Sequence, residues 1–136
     1  MSEDKIQLIR EALESSGGQG LRETAETYWD PEIEYVEDPR WPGASSYKGR
    51  AAVLRCFQAY MEALGADGDL GITVERVLDG GARQVALVRV RTRGVSSGVE
   101  QEHLWGYVVE VHRGRISYFR AYYEPAEALE AAGLRE

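Results

Sequence analysis

The fold is decided by residues 84–123, which read QVALVRVRTRGVSSGVEQEHLWGYVVEVHRGRISYFRAYY. Three segments within it are rich in Val, Ile and aromatic residues, as β-strands commonly are: 84–92, 100–111 and 116–123. Glycine-containing turns separate these segments, the second of them at Arg113-Gly114. Because short turns join consecutive strands, we predict an antiparallel meander.

The rest of the chain supplies two further strands and the helices. Alternation predicts a strand at 32–38, and a similar segment at 72–78 precedes the meander. An apolar stripe of Val53, Cys56, Phe57, Tyr60 and Leu64 predicts a long helix from about Arg50 to Leu64. Two helices fill the first twenty-nine residues, and a short helix starts at Pro125. The sequence therefore predicts one α+β domain spanning residues 1–136.

The charge balance excludes several classes of partner. The chain has 23 acidic and 16 basic side chains, a formal net charge of −7. Nucleic-acid binding needs a basic surface, and so does binding to an anionic membrane, so we expect neither. No apolar run approaches the ~18 residues of a spanning helix, and Glu3 and Asp4 stand where a secretory signal would be basic. With Cys56 as the single cysteine, a cytoplasmic location is the simplest expectation.

Four stretches carry a resemblance to a known family. They are Tyr28-Trp29-Asp30-Pro31-Glu32-Ile33-Glu34-Tyr35, Tyr47-Lys48-Gly49-Arg50, Gly114-Arg115-Ile116, and Phe119-Arg120-Ala121-Tyr122 leading into residues 127–134. In this order they resemble the SnoaL-like, polyketide cyclase-like branch of the nuclear transport factor 2-like superfamily. The resemblance implies a cone-shaped, curved antiparallel sheet (a cystatin-like roll), in which N-terminal helices and one long helix enclose an apolar pocket. It also implies a homodimer.

Relatives in that superfamily catalyse different reactions, so the residues must discriminate among them. Val36-Glu37-Asp38-Pro39 resembles the base motif of ketosteroid isomerases, which would make Asp38 the base. The first helix lacks the tyrosine of that family, and Tyr107 stands near the place of its second acid. Arg89-Val90-Arg91 lacks the Asp–Arg–Asp relay of limonene epoxide hydrolases. The polyketide cyclases need only a carboxylic acid/base in an apolar pocket, without cofactor or metal.

Glu37 and Asp38 are the first candidates for catalysis. Alternation places Glu37 on the face of Ile33 and Tyr35, which we expect to face the pocket, and Asp38 on the opposite face. A bulge before Pro39 would exchange the two. In the plainer interpretation, Asp38 starts the turn at Pro39 and Glu37 pairs with an arginine.

Other candidates lie on the later strands and among the aromatic residues. His103 and Tyr107 alternate with Trp105 on one strand, where they would assist acid–base chemistry. Arg89 and Arg120 are predicted either to clamp an anionic or carbonyl-bearing ligand or to form cross-strand salt bridges. The residues expected to line a ring-binding pocket are Tyr35, Trp41, Tyr60, Trp105 and Tyr122.

The sequence therefore predicts a protein that binds a small hydrophobic, oxygenated ring compound and possesses no metal or cofactor. If it is an enzyme, the expected reaction is a cofactor-independent acid–base step of the cyclase or isomerase type. The alternative is a non-catalytic ligand-binding or dimerisation module of the same fold.

Overall fold

The computed structural model describes residues 2–15, 21–40, 43–64, 69–93 and 100–134. The helices are α1 (Ser2–Ser15), α2 (Leu21–Tyr28), α3 (Arg50–Leu64) and α4 (Pro125–Ala131). The strands are β1 (Trp29–Val36), β2 (Ser46–Lys48), β3 (Asp69–Asp79), β4 (Gln84–Arg93), β5 (Glu100–His112) and β6 (Arg115–Tyr122). The α+β architecture is confirmed, and α3 has the predicted bounds. Within the described ranges, none of the helices is long and apolar enough to cross a bilayer.

The six strands form one curved sheet in the order β2-β1-β6-β5-β4-β3. The predicted meander is confirmed, because β3, β4, β5 and β6 pair antiparallel in sequence order. The expectation of a wholly antiparallel sheet is wrong at one place, since β1 runs parallel to β6. Parallel pairing needs a long connection, and the chain between β1 and β6 supplies it.

The first strand differs from its prediction in position and in its neighbour. It begins at Trp29 instead of residue 32, because Trp29 pairs with Ile116 ahead of an irregularity in the register. Strand β2 was missed, since its three residues are too few for a periodic pattern; Tyr47 pairs there with Tyr35.

The concave face of the sheet holds the larger of two apolar cores. Helices α1, α2 and α3 pack into it and contribute Ile9, Ala25 and Val53, each fully buried. Inward-facing residues of the strands complete this core, Ile33 and Val88 among them. Because the helices cover only part of the concave face, the remaining space between helices and sheet is a cavity.

The convex face carries a smaller core under α4. Val85, Leu87 and Val108 pack there against Ala128 and Leu129. The close approach of α4 depends on Gly106 in β5. A Cβ atom built on Gly106 would lie 2.6 Å from the Cβ of Ala128 and 3.1 Å from the Cα of Pro125. A side chain at this position therefore displaces the helix from the sheet.

Substitution of Gly106 with alanine is expected to lower the free energy of unfolding by about 1–3 kcal/mol, the usual cost of overpacking. Gly71 in β3 provides the control. Its Cβ would meet only the Arg91 side chain, at 3.7 Å, so Gly71→Ala is expected to be neutral or slightly stabilising. Urea unfolding of both variants measures the difference. Equal stability of the two variants would contradict the proposed role of Gly106.

Candidate functional site

A cavity of about 710 Å³ lies between the concave sheet face and the helices. This volume falls within the range of small-molecule pockets, roughly 300–1,000 Å³. Aromatic side chains form much of its wall: Trp29, Tyr35, Phe57, Tyr60, Trp105, Tyr107, Phe119 and Tyr123. The described lining also contains three carboxylates, Glu37, Asp38 and Glu102, one histidine, His103, and neither lysine nor arginine. The cavity is thus apolar and aromatic, with a few polar groups at defined places.

Glu37 is a buried carboxylate of the cavity wall, with 6% of its surface exposed. Its Oε2 atom accepts a hydrogen bond from the Tyr60 hydroxyl and lies 3.8 Å from the Cys56 Sγ atom. Its Oε1 atom accepts the backbone N–H of Ser45 at 3.1 Å. The donors come from α3 and from the segment before β2, so the long helix and the edge of the sheet together hold the carboxylate in place. Glu37 therefore lies on the cavity wall, as strand alternation predicted, whereas Asp38, which alternation placed on the opposite face, lines the cavity as well.

A second tyrosine extends this network along the cavity wall. The hydroxyl oxygens of Tyr35 and Tyr60 lie 3.2 Å apart. Since Tyr60 gives its single proton to Glu37, the hydroxyl of Tyr35 donates to that of Tyr60. Burial raises the pKa of both phenols, so both remain protonated donors at neutral pH. Burial likewise raises the pKa of the Cys56 thiol, which supports the prediction of a core cysteine without nucleophilic character.

Tyr107 supplies a different kind of donor. Desolvation raises the pKa of its phenol to about 12, so it too stays protonated at neutral pH. Within the described part of the chain its hydroxyl has no hydrogen-bond partner, although the side chain lines the cavity. A protonated hydroxyl in an apolar cavity can donate to an oxygen atom of a ligand.

Asp38 follows Glu37 directly in the chain, but its carboxylate oxygens are engaged by backbone N–H groups of the protein. Only 2% of its surface is exposed, and its two oxygens accept the backbone N–H groups of Tyr123 at 2.6 Å and Arg40 at 2.8 Å. Burial alone would raise its pKa. The two N–H donors, with the guanidinium groups of Arg40 and Arg120, outweigh burial and hold the pKa of Asp38 below its usual value. Asp38 thus ties the end of β1 to the end of β6.

His103, Trp105 and Tyr123 form an aromatic group on the cavity wall, which we term the aromatic triad. The His103 and Tyr123 rings stack with centroids 3.9 Å apart, and Trp105 meets both edge-on. His103 Nε2 lies 2.7 Å from the Tyr123 carbonyl oxygen, so this nitrogen carries the proton. Asp38 and His103 thus hold the N–H and the carbonyl of Tyr123, and His103 has a positioning contact in addition to any role with a ligand.

The predicted clamp residues Arg89 and Arg120 and the predicted pocket residue Tyr122 do not line the cavity. Arg89 pairs with Glu75 at 2.6 Å and with Glu102 at 3.3 Å, which is the cross-strand salt-bridge alternative. The Arg120 guanidinium lies 5.0 Å from the centre of the Tyr122 ring, and Tyr122 packs against the core under α4. Strand alternation explains this placement, because Phe119, Ala121 and Tyr123 point inward.

Two further predictions from the sequence concern Trp41 and a metal site. Trp41 lies outside the described residues, so its predicted place in the pocket stays a prediction. Within the described ranges, the structure holds no group of three or more His, Cys, Asp or Glu side chains placed to bind a metal ion. Phe57, Phe119 and Tyr123 were not selected from the sequence as pocket residues, although alternation from Phe119 would have identified two of them.

Comparisons with protein-family models and with curated proteins found no match. Solved structures do match: a nuclear transport factor 2-like protein from Burkholderia xenovorans has a TM-score of 0.67 and 18% identity, covering 96% of both chains. The chain has the nuclear transport factor 2-like fold. A proposed SnoaL-like polyketide cyclase from Mesorhizobium loti matches with a TM-score of 0.60 and 17% identity over 90% of this chain and 94% of that one.

An LEH-like epoxide hydrolase from M. tuberculosis also matches this chain. Its TM-score is 0.67 at 15% identity, covering 96% of this chain and 85% of that one. The matches thus include a SnoaL-like protein and an epoxide hydrolase. At these identities they establish a fold that is compatible with cyclase or isomerase activity, and the residues of the cavity must supply the argument for function.

Proposed function

We propose that the protein binds a hydrophobic, oxygenated ring compound in the cavity and acts on it by acid–base catalysis of the cyclase or isomerase type. The observation that carries this proposal is the Glu37 carboxylate, which is buried on an aromatic cavity wall and held by the Tyr60 hydroxyl. A base fixed in an apolar site is preorganised for proton transfer from carbon. The homodimer expected from the resemblance belongs to the same proposal, and light scattering at micromolar concentration tests it.

The proposed step is proton abstraction next to a carbonyl group of the ligand. Glu37 takes the proton, and the electron pair of the C–H bond moves to the carbonyl oxygen to give an enolate. The Tyr107 hydroxyl donates a hydrogen bond to that oxygen. Return of the proton from Glu37 to another carbon completes an isomerisation. Alternatively, attack of the enolate carbon on a second carbonyl closes a ring, and the alkoxide formed there takes the proton back from Glu37. Neither course needs an oxidant or a reductant.

The test begins with a thermal-shift screen of polyketide-like, steroid, terpenoid-epoxide and small aromatic compounds. A ligand at about a hundred times its dissociation constant adds ~2.7 kcal/mol of stability, which raises the melting temperature by roughly 5–15 °C. Because both proposed products have the mass of the substrate, turnover of each hit is then followed by chromatography and NMR spectroscopy. A ligand that binds without turnover would favour the non-catalytic module.

Exchange of Glu37 for glutamine is expected to lower turnover of such a ligand at least ~100-fold, because a general base contributes about 10²–10⁴-fold. Binding of a neutral ligand should persist, since glutamine keeps the shape of the side chain. Glu34→Gln is the matched control: it changes a carboxylate of β1, three residues before Glu37, that does not line the cavity, and turnover should remain normal. Full activity of Glu37→Gln would refute the assignment of the base.

A further inference from the structure

The charged groups of the cavity lining are all of one sign. Three carboxylates contribute to the described lining, and neither lysine nor arginine does. His103 is the one other charged or titratable group there apart from the tyrosine phenols, and its Nε2 proton is held by the Tyr123 carbonyl. On the lining that the structure describes, a ligand therefore meets carboxylates and aromatic rings, without a cationic side chain to receive an anion.

Two of the three carboxylates are balanced by cations outside the cavity. Asp38 lies 3.4 Å from the Nε atom of Arg40, and Glu102 lies 3.3 Å from the Nη1 atom of Arg89. Glu37 differs from both. Its side-chain contacts within the described residues are the hydroxyls of Tyr60 and Tyr47, the Ser45 N–H and the Cys56 thiol, all of them neutral groups. A buried carboxylate without a counter-charge is costly, and a positive charge beside it removes that cost.

The aromatic rings next to Glu37 are also suited to a positive charge. Phe57 stacks on Tyr60 with centroids 5.5 Å apart, and it meets Tyr35 edge-on at 5.1 Å. Aromatic faces attract ammonium groups, most strongly where water is excluded. A carboxylate beside clustered rings is a combination that recognises a protonated amine.

We propose that the ligand of this cavity is an organic cation, a hydrophobic ring compound that carries one protonated amine, with the ammonium group against Glu37 and the ring body among the aromatic side chains. This inference rests on the binding part of the proposed function and does not require turnover. The net charge of −7 acts in the same direction, because it raises the concentration of cations near the protein.

A matched series of three probes tests this preference: diphenylpropylamine, diphenylpropanol and diphenylpropionate. They share one apolar body and differ in charge, and titration calorimetry measures their affinities. We expect the amine to bind the wild-type protein about tenfold or more tightly than the alcohol, and the acid to bind most weakly. Glu37→Gln should weaken binding of the amine about tenfold and change binding of the alcohol by less than about twofold.

Glu34→Gln is the control, since it removes a carboxylate of β1 that does not line the cavity, and it should leave all three affinities within about twofold. Unchanged binding of the alcohol shows that the Glu37→Gln variant is folded. Wild-type protein that binds the alcohol as tightly as the amine overturns the cation preference but leaves the proposed function intact. If none of the three probes binds, the cation proposal is overturned, and the ring-compound screen decides separately whether the cavity binds a ligand.

Discussion

Replacement of Asp38 by alanine is expected to lower the free energy of unfolding by about 3 kcal/mol. The substitution removes the acceptor of two backbone N–H groups, those of Tyr123 and Arg40, and Asp38 is 2% exposed. A buried donor that loses its partner costs about 1–3 kcal/mol, because water does not replace the lost bond. Urea denaturation followed by circular dichroism measures the change.

Asp30 at the other end of the first strand provides the control for this prediction. Its carboxylate accepts one N–H, that of Glu32 at 2.8 Å, in an exposed place. Water satisfies that N–H when the carboxylate is lost, so Asp30→Ala should cost less than about 1 kcal/mol. Equal losses of unfolding free energy in the two variants would show that burial does not increase the contribution of Asp38 to stability.

Asp38 also contributes to the decrease in stability at acidic pH. The pKa of Asp38 is lower in the folded state than in the unfolded chain, so its contribution is complete above the usual pKa of about 4. It is lost as the pH falls through the folded-state pKa, because the unfolded chain then binds the proton more readily. In the alanine variant, this part of the acid destabilisation should be missing.

The second large change in the free energy of unfolding is expected at alkaline pH. The pKa of Tyr107 is about 12, whereas a tyrosine in the unfolded chain titrates near pH 10. Between these values the folded protein keeps a proton that the unfolded chain has lost. Stability is therefore complete below about pH 10 and falls as the pH rises, with Tyr107 alone accounting for about 2–3 kcal/mol by pH 12.

The phenols of Tyr35 and Tyr60 act in the same direction, since burial raises both pKa values. Denaturant midpoints measured from neutral pH to about pH 12 should therefore fall steeply, together with the appearance of tyrosinate absorbance. Tyr107→Phe should make the decline shallower while leaving neutral stability nearly unchanged. A variant whose alkaline decline matches that of the wild type would place the pKa of Tyr107 near the ordinary value.

The sequence was sufficient for the fold because its evidence is local and periodic. The apolar stripe of α3 and the alternation in the meander depend on spacing alone, so both elements appeared where predicted. Pairing between distant strands leaves no such pattern. The parallel contact of β1 with β6 was missed for this reason, and so was the three-residue strand β2.

The candidate site was predictable where a residue followed strand parity and unpredictable where its partners decided its role. Parity placed Glu37 correctly on the cavity face and Asp38 wrongly on the opposite face, since both line the cavity. Parity could not show that Asp38 would be occupied by two backbone N–H groups, because one of them comes from Tyr123, 85 residues away in the chain. For Arg89, the salt-bridge alternative was correct because its acidic neighbours lie across adjacent strands.

The parallel pairing of β1 with β6 has a consequence for how the protein is made. Strand β1 is synthesised early but cannot form its parallel pairing until β6 has been made. Its residues Trp29–Val36 pair with residues between Ile116 and Arg120. Until then, one edge of β1 is unpaired, and the wall that carries Glu37 cannot close. Contacts of such high sequence separation slow folding and prolong exposure of apolar strands. On the ribosome, cavity assembly should therefore be among the final events, and a nascent chain halted before β6 should depend on chaperones.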